Sequence, residues 1–126
     1  MNVKKLMQGL SYVGDAEGKR QTYYVFRGDE CFLALSFSKT KPQAGNFNIV
    51  DSEAVDYVRS RFRGKKGVTA KDVVARAKSS RHVTSSLAAL NILYVLVGLG
   101  EVKVDARRDS LKLYFNFIGR RQSRRR

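Results

Sequence analysis

Between positions 79 and 86 the chain reads SSRHVTSS. Ser79, Ser80, Arg81, His82, Thr84, Ser85 and Ser86 thus place hydroxyls, a guanidinium and the only imidazole of the sequence directly before a long apolar run. Hydroxyls, an arginine and the open N–H groups of a helix start are suitable ligands for phosphate oxygens or base edges. Ser and Thr just before a helix are equally the residues that cap it, so both readings stand for Thr84, Ser85 and Ser86. His82 has no sequence neighbour that would make it a catalytic base, and it reads as a surface or phosphate contact.

Other cations extend this pattern. Arg63, Lys65 and Lys66 precede a second helical stretch, Arg107 and Arg108 form a turn between two alternating runs, and Arg120 and Arg121 open the arginine-rich end RRQSRRR. The chain holds 25 Lys/Arg against 11 Asp/Glu, a formal net charge of +14. Such a balance calls for a polyanionic partner, with nucleic acid ahead of an acidic membrane. An apolar content of 43% with 10% aromatics indicates a folded globule and not a basic disordered tail.

Enzyme signatures are missing. The sequence has no HExxH, CxxC, GxxxxGK[ST] or G-x-S-x-G motif. Asp51, Glu53 and Asp56 lie close together, but helix capping and favourable charge at a helix start explain them. The expectation is a non-enzyme with no metal site and no cofactor. The lone Cys31, within CFLALSF, reads as a small apolar core residue.

Periodicity divides the 126 residues into an extended first part and a largely helical second part. A short helix is expected over residues 2–9, and DAEGKRQ reads as a loop. TYYVFR and CFLALSFS have the aromatic and β-branched content of strands, and the three-residue connection Gly28-Asp29-Glu30 favours an antiparallel hairpin. FNIV follows as a third short strand. From Asp51 or Ser52 the period becomes helical, with Ala54, Val55, Val58 and Phe62 on one face and Gly64 closing the helix. Thr69 caps AKDVVARAKSS, with Asp72 three positions on. A third helix is expected from about Thr84 to Leu99, ended by Gly100. EVKVDA and LKLYFNFI then alternate as strands.

This order resembles the winged helix-turn-helix superfamily over roughly residues 50–118. The resemblance rests on GVTAKDVVARA as extended link and second helix, a short polar turn, LYVLVGLGEV as the exit of a recognition helix, and a two-stranded wing. It implies a winged helix-turn-helix unit (51–118); the residues themselves add a small antiparallel β-hairpin module before it (1–50) and a basic, disordered C-terminal arm after it (119–126), so the expected fold is α+β. The resemblance also implies duplex DNA as the partner, reached by the front of the third helix and by the wing. The expected contacts are Arg63, Lys65, Lys66, Ser79, Ser80, Arg81, His82, Thr84, Ser85, Ser86, Arg107, Arg108, Arg120 and Arg121. A nucleoid-associated or regulatory role follows; RNA binding or ribosome association is the alternative, because the fold also serves RNA and protein contacts.

Beyond Ser86 the third helix departs from that family's pattern. Ala88, Ala89, Ile92 and Val95 surround it, with Asn91 as its one base-reading side chain. A helix apolar all round is buried on more than one side. Either the N-terminal sheet covers it or two copies pair across it as a homodimer. Either way, affinity should come from phosphates. Tyr23, Tyr24, Phe26, Phe32 and Phe37 on the hairpin suggest a stacking platform or, more simply, the face that packs on helices. Arg27, Lys39 and Lys41 form a second candidate patch. The apolar run LAALNILYVLVGL, 13 residues, is too short to span a bilayer. With no apolar secretory segment at the N-terminus, the expected address is cytoplasmic, at the nucleoid, with no membrane partner.

Overall fold

A computed structural model of the chain describes residues 9–41, 43–77, 81–105 and 113–118. The expected helix at 2–9 lies largely outside them. Four strands come first: β1 (Ser11–Glu17), β2 (Gln21–Arg27), β3 (Cys31–Ser38) and β4 (Gly45–Asp51). They form one antiparallel sheet in the order β1-β2-β3-β4. The hairpin module is therefore a four-stranded meander. DAEGKRQ is not a loop as a whole, since Asp15, Ala16 and Glu17 complete β1 and pair with Tyr24, Tyr23 and Thr22. Local propensity hides β1, whose Gly, Asp, Ala and Glu are all poor strand formers. Its pairing and packing hold it extended instead, with a register shift between Tyr12 and Gly14.

Alternation along the strands sorts the side chains onto two faces. Val25, Phe32, Ala34 and Val50 point to the core, whereas Tyr12, Phe37, Phe47 and Ile49 stay exposed. The hairpin aromatics split accordingly. Tyr23 and Phe32 face inward, and the alternating positions Tyr24, Phe26 and Phe37 face outward.

Three helices follow. α1 (Ser52–Phe62) starts directly after β4 and buries Ala54, Val55, Val58 and Phe62 at the expected spacing. Gly64 leaves it at φ 76°, a conformation that suits glycine. α2 (Ala70–Arg76) carries a full capping box: the Asp72 N–H donates to the Thr69 hydroxyl, and the Thr69 N–H donates to the Asp72 carboxylate. α3 (Ser86–Gly98) is capped by Ser85, whose hydroxyl accepts from the Ala88 N–H at 3.1 Å. Gly100 turns the chain at φ 82°.

β5 (Val102–Asp105) and β6 (Tyr114–Phe117) then pair antiparallel. β6 gains a second neighbour from the link between α1 and α2. Val68 donates to Phe115 and accepts from it, at 2.9 and 2.8 Å, and the Phe117 N–H donates to the Lys65 carbonyl. The side chain of Asn116 secures the same link by accepting from the Gly67 N–H at 2.8 Å.

α3 is the axis of the core. Asn91, Ile92, Leu93, Tyr94, Val95 and Leu96 are all buried. The four-stranded sheet covers one side of the helix, and α1, α2 and β5 cover the others. Tyr94 stacks on Tyr23 with ring centroids 4.1 Å apart and meets Phe115 edge-on at 5.6 Å. Each such large apolar side chain contributes roughly 1.5–3 kcal/mol on burial, so this helix supplies much of the drive to fold. Of the two ways of covering the apolar shaft, the chain uses its own sheet. The stretch Asn91 to Leu96, across which a homodimer is the other expectation, is thus enclosed within one chain. No helix among the described residues is long and apolar enough to cross a membrane.

Candidate nucleic-acid interface

The capping motifs decide the local shape of the front of α3. Ser85 stands in extended backbone as the N-cap, and Ser86 opens the helix. The helix thus begins two residues later than the expected Thr84. Arg81, Thr84, Ser85, Ser86 and Leu87 are exposed. They form the part of α3 and its approach that a large ligand can reach. Ser79, Ser80, Arg107, Arg108, Arg120 and Arg121 lie outside the described residues.

His82 is half-buried, with its ring 5.1 Å from that of Tyr57 on α1. The fold brings Asp51 and Glu53 to it, the three offering ligand atoms within 4.8 Å of one another. Two carboxylates and an imidazole are a donor set able to hold a divalent cation. The sequence expectation of no such set missed this group, because 29 positions separate Glu53 from His82.

A second cationic group forms at the α1–α2 link. Lys65 and Lys66 are exposed and, with Arg76 of α2, border a shallow groove whose wall includes Phe62, Val68 and Asp72. Arg63 is exposed at the C-cap of α1. Arg76 escaped sequence reasoning because its helical position carries no motif; only the groove places it beside the lysines. The pairing of Phe117 with Lys65 sets this group where β5 begins and α3 ends. A 13-residue helix is about 20 Å long, so the Lys65 group and the Ser85 group mark opposite ends of α3.

Several other cations are already engaged. Arg59 grips Glu101 with two bonds, 2.6 and 3.1 Å, and also pairs with Asp56. The Glu101 carboxylate, followed by Asp56, holds this guanidinium even more firmly protonated than usual. Arg61 lies over the Tyr57 ring at 4.8 Å. Lys39 pairs with Glu17 at 3.0 Å, and that bond, with one from Thr22, holds the Glu17 carboxyl below its ordinary range.

The second candidate patch does not assemble. Arg27 ends β2 and sits over Phe32 at 5.5 Å, while Lys39 and Lys41 follow β3 at the far end of the sheet. Cys31 is half-buried, and burial, then Asp51, Asp29 and Glu30, push its thiol up, away from a reactive thiolate. No protein-family model matches the chain, and no curated protein or solved structure is significantly similar to it.

Proposed function

We propose that the chain is a nucleic-acid-binding protein of winged-helix type that holds duplex DNA mainly by its phosphates. The observation that carries this reading is the two-way pairing of Val68 with Phe115. It joins the link between α1 and α2 to the hairpin after α3, giving the order helix, bridged link, helix, helix, wing. In that scheme α3 is the recognition helix and β5–β6 is the wing.

Charge supports the reading. Residues 52–126 hold 18 Lys/Arg against 6 Asp/Glu. The helices and wing therefore belong to the strongly basic part of the chain. Burial from Asn91 to Leu96 removes the middle of the recognition helix from base contact and leaves its first turn. Phosphate contact consequently dominates, and binding weakens steeply with salt.

Titrating the protein with duplex DNA, single-stranded DNA and structured RNA over a range of salt tests this. Tightest binding to duplex with little sequence preference supports the reading. Tightest binding to structured RNA replaces it with the RNA-binding alternative.

A further inference from the structure

The described helices gather on the inner face of the four-stranded sheet, and the outer face is apolar. Of the six large hydrophobic side chains that stand exposed among the described residues, four lie here: Tyr12 (55%), Phe47 (54%), Ile49 (41%) and Phe37 (38%). Leu33, between Phe26 and Ile49 on the neighbouring strands, is buried yet stands apart from the core cluster. Edge-to-face pairs reach across strands from Tyr12 to Phe26 and from Tyr24 to Phe37. A continuous apolar face of this kind marks a contact surface.

Its charge identifies the occupant. Residues 9–51 contain five Lys/Arg and five Asp/Glu, so this part of the chain is neutral although the whole carries +14. A stacking surface for nucleic acid needs an excess of cations along it. Here the outer face carries Asp15 and Glu17 opposite Tyr24 and Thr22.

The charges are also sorted by end. A bond from the Lys39 N–H to the Arg20 carbonyl joins the two loops that bear Lys19, Arg20, Lys39 and Lys41. At the other end, the Ser52 N–H donates to the Glu30 carbonyl, which sets Asp29 and Glu30 beside Asp51. With Glu17, which pairs with Lys39, counted at the first end and Arg27 at the second, the first end remains net basic and the second net acidic, and the apolar face lies between them.

We infer that two copies of the chain pair through the outer faces of their sheets. The twofold axis lies in the interface and runs across the strands. It turns the second sheet end for end, so that each basic end meets the partner's acidic end. An axis along the strands would set like charges together. The sheet face spans roughly 400 Å² per copy from strand spacing and rise, against about 800 Å² per partner in a standard interface. The dimer is accordingly reversible and depends on concentration.

Sedimentation velocity of the nucleic-acid-free full chain, from low to high micromolar concentration, tests this. The expected result is a monomer–dimer equilibrium that Tyr12→Ser with Phe47→Ser weakens at least tenfold. Arg20→Glu with Lys41→Glu should weaken it, as should Asp29→Lys with Glu30→Lys, and all four changes in one chain should restore it. Thermal unfolding verifies that each variant folds. A wild-type chain that stays monomeric throughout overturns the inference. So does a monomer whose tyrosine fluorescence is quenched by a short oligonucleotide unless Tyr12 and Phe47 are replaced, which marks a stacking platform. A monomer that loses several degrees of stability on Phe47→Ser also overturns it, because another segment of the same chain then covers the face.

Discussion

Gly14 of β1 and Gly98 of α3 meet so closely that neither has room for a side chain. A Cβ on Gly14 would lie 2.1 Å from the Gly98 carbonyl oxygen, and one on Gly98 would lie 2.6 Å from a methyl of Val25. This contact seats the end of the central helix on the sheet. Replacing either glycine by alanine must push the helix off the strands, an overpacking cost of about 1–3 kcal/mol. Denaturant unfolding of Gly14→Ala and Gly98→Ala should show that loss. An unchanged midpoint for both would mean that the sheet and α3 are not in this contact.

The Ser85 hydroxyl accepts from the Ala88 N–H and so serves the helix before any ligand. Ser85→Ala should lower stability by about 1 kcal/mol, and Ser85→Asp, which retains a capping oxygen, should restore most of it. Unfolding curves for both variants decide whether the cap role is correct.

Arg59 and Glu101 tie α1 to the turn that leads into β5. Their side chains are 30% and 41% exposed, so solvent screening limits the pair to about 1 kcal/mol. A double-mutant cycle with Arg59→Ala and Glu101→Ala should give a coupling of that size. Duplex affinity should fall less for Arg59→Ala than for loss of an exposed lysine, because Arg59 is already engaged.

Burial pushes the Tyr94 phenol well above its ordinary range, with Tyr23 beside it adding to the effect, and burial raises Tyr23 as well. Below a pH of about 10 both phenols are neutral in the folded and unfolded chain, and they add no pH dependence. Above it the unfolded chain loses those protons first and the folded chain keeps them, so stability falls as pH rises. Thermal unfolding across that range should show the decline. Tyr94→Phe with Tyr23→Phe should flatten it relative to the wild type.

Sequence reasoning reached the helices most easily, because each carries its own signals. Thr69 with Asp72, and Gly64 and Gly100 at positive φ, mark boundaries through local chemistry alone. β1 was hidden because SYVGDAE is held extended by its partner strand and by the helix above Gly14. The split of aromatics between two faces followed from alternation, yet which face meets α3 depends on the tertiary fold. The site shows the same division. Ser85 and the lysines could be read from composition and caps, whereas Arg76 beside Lys66, and Asp51 and Glu53 beside His82, come together only in space.

The proposed function has duplex DNA held through its phosphates by the basic helical half of the chain. Salt-titrated binding of the wild type and of a Lys65→Ala, Lys66→Ala, Arg76→Ala variant measures it directly. Each lost phosphate contact should reduce the slope of log affinity against log salt by about 0.9, with affinity falling equally on unrelated duplex sequences. An unchanged slope and unchanged duplex affinity in the triple variant would contradict the claim.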